Sequence, residues 1–119
     1  MTAPISKLTA PHYLWREVCD GWRLVDQENL SVIEERVPAG ASESAHYHKI
    51  ARQFFYVLQG VAVMEVEGTE HEISAGSGLE VAPGQRHRFM NKGTTEVCFL
   101  VISSPRTAED RYDVETGSV

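Results

Sequence analysis

Three histidines and one glutamine set the chemical question. His46 and His48 stand two residues apart in "AHYHKIARQFF", and in an extended chain residues at i and i+2 share a face, so both imidazoles project together while Tyr47 points away. His87, in "PGQRHRFMN", follows a Pro-Gly turn with Phe89 on its own side. Imidazole is the commonest metal-ligating side chain, yet polar strands also place histidines at this spacing by chance, so the His46/His48 pair alone leaves both readings open. Gln53 lies on the next apolar stretch and carries a neutral amide. His12 and His71 sit in polar surroundings and read as exposed.

The elements that must carry these residues are strands. Most of the chain alternates with period two and is punctuated by Gly, Pro and Asn. Strands are expected at 22–26, 30–37, 45–49, 53–59, 61–66, 70–73, 79–82, 86–91 and 96–103, with turns at "QEN", "PAGA", "QG", "VEGT", "SAGSG", "APGQ" and "NKGTT". So many short strands without helices between them imply antiparallel pairing in a sandwich, jelly roll or barrel. The first twenty residues could hold a helical turn or an edge strand, with Trp15 and Trp22 covering the end of a barrel. Parity on the strand after Gln53 puts Phe55 and Val57 on its face, and with Phe89 they would line a narrow, mostly apolar pocket. Tyr47, Tyr56 and Arg88 fall on outer faces.

A chain of 119 residues fits one domain that buries a core without disulfides. The reading is a single domain over 1–119, with a core over 30–104, an N-terminal extension over 1–21 and a polar tail over 105–119 that frays in its last residues. Composition, 42% apolar and 24% charged, is that of an ordinary globular protein. The net charge of −6 and the lack of a Lys/Arg cluster argue against nucleic acid as a partner, and no apolar run is long enough to cross a bilayer. "MTAPISKLTAPHYLW" does not read as a secretory signal, so a cytoplasmic location is expected. Cys19 and Cys98 form no disulfide framework; Cys98, inside "VCFLVI", reads as core.

The glycines and proline around the histidines recur at spacings that resemble the two motifs of the cupin superfamily. The first appears as Gly40, five residues, His46, one residue, His48, four residues, Gln53, six residues and Gly60. It departs from the family at Gln53, where glutamate is usual. The second appears as Gly76, then Pro83-Gly84, two residues, His87, three residues and Asn91, with Pro83 abutting Gly84 instead of standing one residue before it. Gly60, Gly76 and Gly84 also sit where the chain reverses and positive φ is expected.

The resemblance implies an all-β, jelly-roll cupin barrel, a homodimer, and a divalent transition metal (Fe, Mn, Ni, Zn, Co or Cu) held by His46, His48 and His87 with Gln53 in the fourth position. Glutamine instead of glutamate leaves a divalent site near +2, lowers metal affinity, raises Lewis acidity and removes a carboxylate that could act as a base. Gln53 either ligates through its carbonyl oxygen or hydrogen-bonds near the metal without touching it. The expected function is a metal-dependent, dioxygenase-like enzyme acting on a small oxygenated organic molecule. The alternatives are a Lewis-acid isomerase or lyase, a non-catalytic cupin that binds a metal or small metabolite, and a purely structural barrel.

Overall fold

The computed structural model describes residues 2–114, and among them the chain forms strands and no α-helix. The strands are β1 (His12–Trp15), β2 (Cys19–Gln27), β3 (Leu30–Val37), β4 (His46–Tyr47), β5 (Arg52–Gln59), β6 (Val61–Val66), β7 (Thr69–Ser74), β8 (Gly78–Val81), β9 (His87–Met90), β10 (Val97–Ser104) and β11 (Tyr112–Asp113). They build two antiparallel sheets, one in the order β1-β2-β3-β10-β5-β8 and the other β11-β4-β9-β6-β7. The two sheets face each other as a jelly roll and do not close into one continuous barrel.

Period-two patterning explains which faces meet. Phe55, Val57, Phe99 and Val101 from the first sheet and Ala62, Met64, Ile73 and Phe89 from the second are buried in a single core. Phe89 and Phe99 stack across the gap with ring centroids 4.1 Å apart, joining the sheets at its centre. Burying side chains of this size contributes about 1.5–3 kcal/mol each. The reversals need glycine where the sequence places it: at Gly60 φ is +85°, and a Cβ there would lie 2.6 Å from the carbonyl oxygen of Glu96.

Within the N-terminal region, His12–Trp15 form an edge strand, β1, paired on β2. Trp15 packs against the core, as expected of a residue covering its end, while Trp22 takes Lys7 over its ring, 4.9 Å from the centroid. The segment after residue 104 differs from the polar tail expected of it. Asp110 is buried, and Tyr112 and Asp113 pair with Tyr47 and His46 to extend the second sheet. Apolar periodicity cannot register this segment, because what holds it is one carboxylate and backbone hydrogen bonds. The fraying expected at the extreme end concerns residues 115–119, outside the described residues. No helix among the described residues is long and apolar enough to cross a membrane.

Candidate metal centre

His46 and His87 are direct cross-strand partners on β4 and β9, which brings their side chains together on the inner face. His48 follows two residues on, and its carbonyl oxygen accepts the Gly84 N–H at 2.7 Å, so the Pro-Gly turn that leads to His87 is tied to the His46/His48 strand. The ring centroids lie 5.0 Å (His46/His48), 4.4 Å (His46/His87) and 5.4 Å (His48/His87) apart. One nitrogen from each falls within 4.8 Å of the others.

Backbone carbonyls fix which nitrogen faces inward. Nδ1–H of His46 donates to Ser44 O at 2.9 Å, Nδ1–H of His48 to Asp110 O at 2.6 Å, and Nδ1–H of His87 to Gln85 O at 3.0 Å. Each ring thereby presents Nε2 as a lone-pair donor, the arrangement that orients metal-ligating histidines. Burial is the main cause that pushes the imidazoles below their ordinary range, His46 to about 3 and His87 to about 4, with His48 lowered for the same reason. All three are therefore neutral at physiological pH, the state that ligates.

Gln53 approaches from the opposite sheet. On β5 it pairs with Ser103 of β10, and its Nε2–H donates to Ser103 Oγ at 3.1 Å. That leaves Gln53 Oε1 buried without a hydrogen-bond partner, as are Nε2 of His48 and of His87. Buried acceptors are rarely left unpaired, since each costs about 1–3 kcal/mol. Unpartnered lone pairs on neutral nitrogen and oxygen, gathered from both sheets, fit a divalent transition metal by number, charge state and donor type.

His46, His48 and Gln53 face an interior cavity of about 200 Å³ floored by Phe55, Phe89, Phe99 and Val101. His87 closes the triad from behind and borders a separate cleft with Glu65 and Arg86. Of the three residues expected to line the pocket, Phe55 and Phe89 do so. Val57 is fully buried in the core and is absent from the cavity wall, because it lies a full inward repeat farther along β5. Tyr47, Tyr56 and Arg88 lie outside: Tyr47 stacks on Tyr112 with centroids 5.4 Å apart, Tyr56 on Phe54, and Arg88 pairs with Glu65 at 3.8 Å. His12, bonded to Asp20 at 2.7 Å, and His71 are both exposed, and neither belongs to the histidine cluster.

Several residues of the site were not singled out by the sequence. Asp110 supplies the carbonyl that orients His48, while its carboxylate accepts the N–H groups of Lys49, Ile50 and Ala51 at 2.9, 3.1 and 2.9 Å. These bonds hold its carboxyl below the usual range despite the opposing effect of burial. Asn91, which the second motif did name, is also buried, its Nδ2 donating to Val37 O and Thr95 O, so it clasps the loop ends. Tyr13, Arg23, Glu35, Glu43 and Arg111 also line the cavity. Ser103 was accessible from inward parity on β10; the others come from separate segments that only the fold brings together.

Residues 33–103 match the family model described as "Cupin domain". The tetracenomycin polyketide synthase protein TcmJ of Streptomyces glaucescens is 33% identical over 66 residues, 56% of this chain and 44% of that protein. The oxalate-binding protein of Thermotoga maritima is 30% identical over 67 residues, 56% of this chain and 55% of that one. The chain spans about half the length of the curated relatives it matches. Among solved structures, the polyketide cyclase RemF from Streptomyces resistomycificus superposes with a TM-score of 0.83 at 18% identity, covering 99% of this chain and 89% of that one, which is a likeness of fold.

Proposed function

Because the chain belongs to the cupin family, we propose that it is a metal-dependent enzyme acting on a small oxygenated organic molecule, with a divalent transition metal held by His46, His48, His87 and Gln53. The observation that carries this reading is the set of inward lone pairs, with Nε2 of His48, Nε2 of His87 and Oε1 of Gln53 all buried and unpartnered beside a cavity. Gln53 is assigned as a direct ligand, since its amide N–H is already bonded to Ser103 and its carbonyl oxygen has no other partner.

When bound, the metal supplies Lewis acidity toward an oxygen atom of the substrate, at a site of net charge near +2 because every donor is neutral. The chain's own residues do the rest. Phe55, Phe89 and Phe99 exclude water from the inner end, which strengthens electrostatic interactions there. Arg23 and Arg111 bring positive charge to the same cavity, favouring a substrate with an anionic group. A cavity of about 200 Å³ restricts that substrate to a small molecule.

Lewis-acid chemistry of the isomerase or lyase kind is the reading favoured by the carboxyl groups that share the cavity. Dioxygen chemistry at iron, copper or manganese, the expectation drawn from the resemblance, is supported by the same all-neutral donor set and is the second reading. Both are tested in one screen. The metal-free chain is reconstituted separately with Fe, Mn, Co, Ni, Cu and Zn and incubated with panels of 2-oxo acids, 2-hydroxy acids and diols, following products and oxygen uptake. Turnover with zinc or nickel and no oxygen uptake supports the Lewis-acid reading; uptake confined to redox metals supports the second. Binding without turnover in the parent would leave a metabolite-binding module.

We also propose a homodimer formed through the outer face of β5, where Phe54 and Leu58 remain about 40% exposed and flank Tyr56. A monomer by light scattering at micromolar concentration contradicts it. The reading places the protein in the cytoplasm, in keeping with two buried free thiols, Cys19 and Cys98.

A further inference from the structure

The cavity has a second chemical end. Tyr13, Glu35, Glu43 and Arg111 line both the inner cavity with the imidazoles and an adjoining outer one of about 310 Å³ bounded by Trp15, Arg16 and Ser44. A molecule passing from the outer to the inner space meets these two carboxyl groups before the histidines.

Their placement is built into the sheet. Tyr13, Gly21 and Glu35 are successive cross-strand partners on β1, β2 and β3. A Cβ on Gly21 would lie 2.2 Å from the Tyr13 ring, so glycine there is the notch through which the ring crosses β2 and brings its hydroxyl to Glu35 Oε2 at 3.5 Å. Glu43 is clamped twice by Phe89, whose N–H donates to Glu43 Oε1 at 3.0 Å and whose carbonyl accepts the Glu43 N–H at 3.0 Å. Because Phe89 stands two residues from His87 on β9, the clamp fixes Glu43 relative to the imidazole triad.

We propose that Glu43 and Glu35 are the proton-transfer pair of this site, serving a reaction that removes a proton from carbon next to a carbonyl held at the imidazole end. The proposal rests on the metal-centre reading for what holds the carbonyl. In the forward step the C–H bond breaks and its proton goes to the Glu43 carboxylate. The bonding pair becomes the C=C of an enolate, while the carbonyl π pair moves onto the oxygen that stays at the imidazole end. The pair, with one proton on Glu35 before the step, holds two after it and gives one back to carbon in the return step, and no oxidant or reductant is consumed. The amide of Gln53 cannot take a proton near neutral pH; this pair supplies the base that the metal's own donor set lacks.

The electrostatics agree. Burial raises Glu35 to about 8, with the Glu43 charge adding to it and Tyr13, Arg111 and Arg23 opposing. Burial raises Glu43 to about 7, against the Phe89 N–H, Arg111 and Arg16. Two carboxyl groups in one site titrate as a coupled pair that retains a proton near neutrality. The groups facing the pair are Tyr13 on β1, Arg16 after it, Arg23 on β2, Arg111 before β11, and the neutral imidazoles of His46 and His48 across the cavity. Tyr13 acts as a positioning residue for Glu35.

Two measurements test the proposal. Carboxyl ¹³C NMR of glutamate-labelled chain, assigned with Glu35→Gln and Glu43→Gln, is expected to show both groups titrating above pH 6, with the Glu35 midpoint falling in Glu43→Gln and shifting in Tyr13→Phe. Glutamine keeps an acceptor for the Phe89 N–H, so the fold is retained. Completion of both titrations below pH 5.5 overturns the proposal. In the second, zinc-loaded chain is titrated calorimetrically with oxalate, a planar dianion of enolate shape, in buffers of different ionisation enthalpy at pH 8. The parent is expected to take up about one proton per oxalate and Glu43→Gln close to none, with zinc content unchanged in both. No uptake in the parent, or the same uptake in the Glu35→Gln/Glu43→Gln double variant, overturns it. A chain that takes up no zinc fails the metal reading instead, and the carboxyl titration still decides on the pair.

Discussion

Replacing Asp110 by alanine removes one carboxylate that accepts three backbone N–H groups, from Lys49, Ile50 and Ala51. The residues at Lys49 and Ile50 are exposed, so water can take over their N–H groups, whereas Ala51 is only 2% exposed and its N–H is left buried. An orphaned buried donor costs about 1–3 kcal/mol, and two charge-assisted bonds exchanged for water add about 1 kcal/mol each, giving roughly 3–5 kcal/mol in all. For a domain of this size that is a fall of about 10–20 °C in Tm, read by calorimetry on metal-free chain. The same change loosens the segment whose carbonyl orients Nδ1 of His48, so zinc affinity, measured by competition with a chelator, should fall about 10–100-fold. Asp110→Asn, which keeps one acceptor, should lie between the parent and Asp110→Ala on both scales. A Tm loss under about 3 °C, or full zinc affinity in Asp110→Ala, would refute the idea that this carboxylate holds the loop and its histidine together.

Gln53→Glu adds one negative charge to the donor set and should tighten zinc by at least about 10-fold in chelator competition, whereas Gln53→Ala should weaken it; equal affinities across the three chains would remove Gln53 from the ligand set. The metal-free chain should be most stable near pH 6. The buried imidazoles have folded pKa values below that of unfolded histidine, near 6.5, so the unfolded chain binds more protons and stability falls as pH drops below that value. Glu35 and Glu43 have raised folded pKa values, so their contribution is present at low pH and is lost as pH rises toward 7–8. Urea midpoints across pH 4.5–8.5 check this: the alkaline fall should disappear in Glu35→Gln/Glu43→Gln while the acid fall persists, and a flat profile contradicts both signs.

Period-two alternation and turn glycines located the central strands to within a few residues, because those strands are defined by a buried face that the sequence displays directly. Strand parity put His46 and His48 on one face, but their grouping with His87 came from the resemblance to the two cupin motifs, and the pairing of His46 with His87 appears only in the fold. What escaped was held by single polar contacts between distant segments. Asp110 lies about 60 residues from the backbone that it ties down, and nothing in "PRTAEDRYDVETGSV" marks one carboxylate as buried. Tyr13, Gly21 and Glu35 meet only once three strands are in register. The glycine inside β2 is the one trace of that meeting in the sequence, because an interior strand glycine signals close approach by a neighbour.

Metal analysis tests the central claim most directly. Untagged protein, purified without chelator, is examined by inductively coupled plasma mass spectrometry beside His87→Ala prepared in the same way. The account predicts close to one transition-metal ion per parent chain, or one equivalent taken up from added Zn, Mn, Fe, Co, Ni or Cu, and its loss in the variant. A folded parent chain that neither carries nor takes up any of these metals contradicts it.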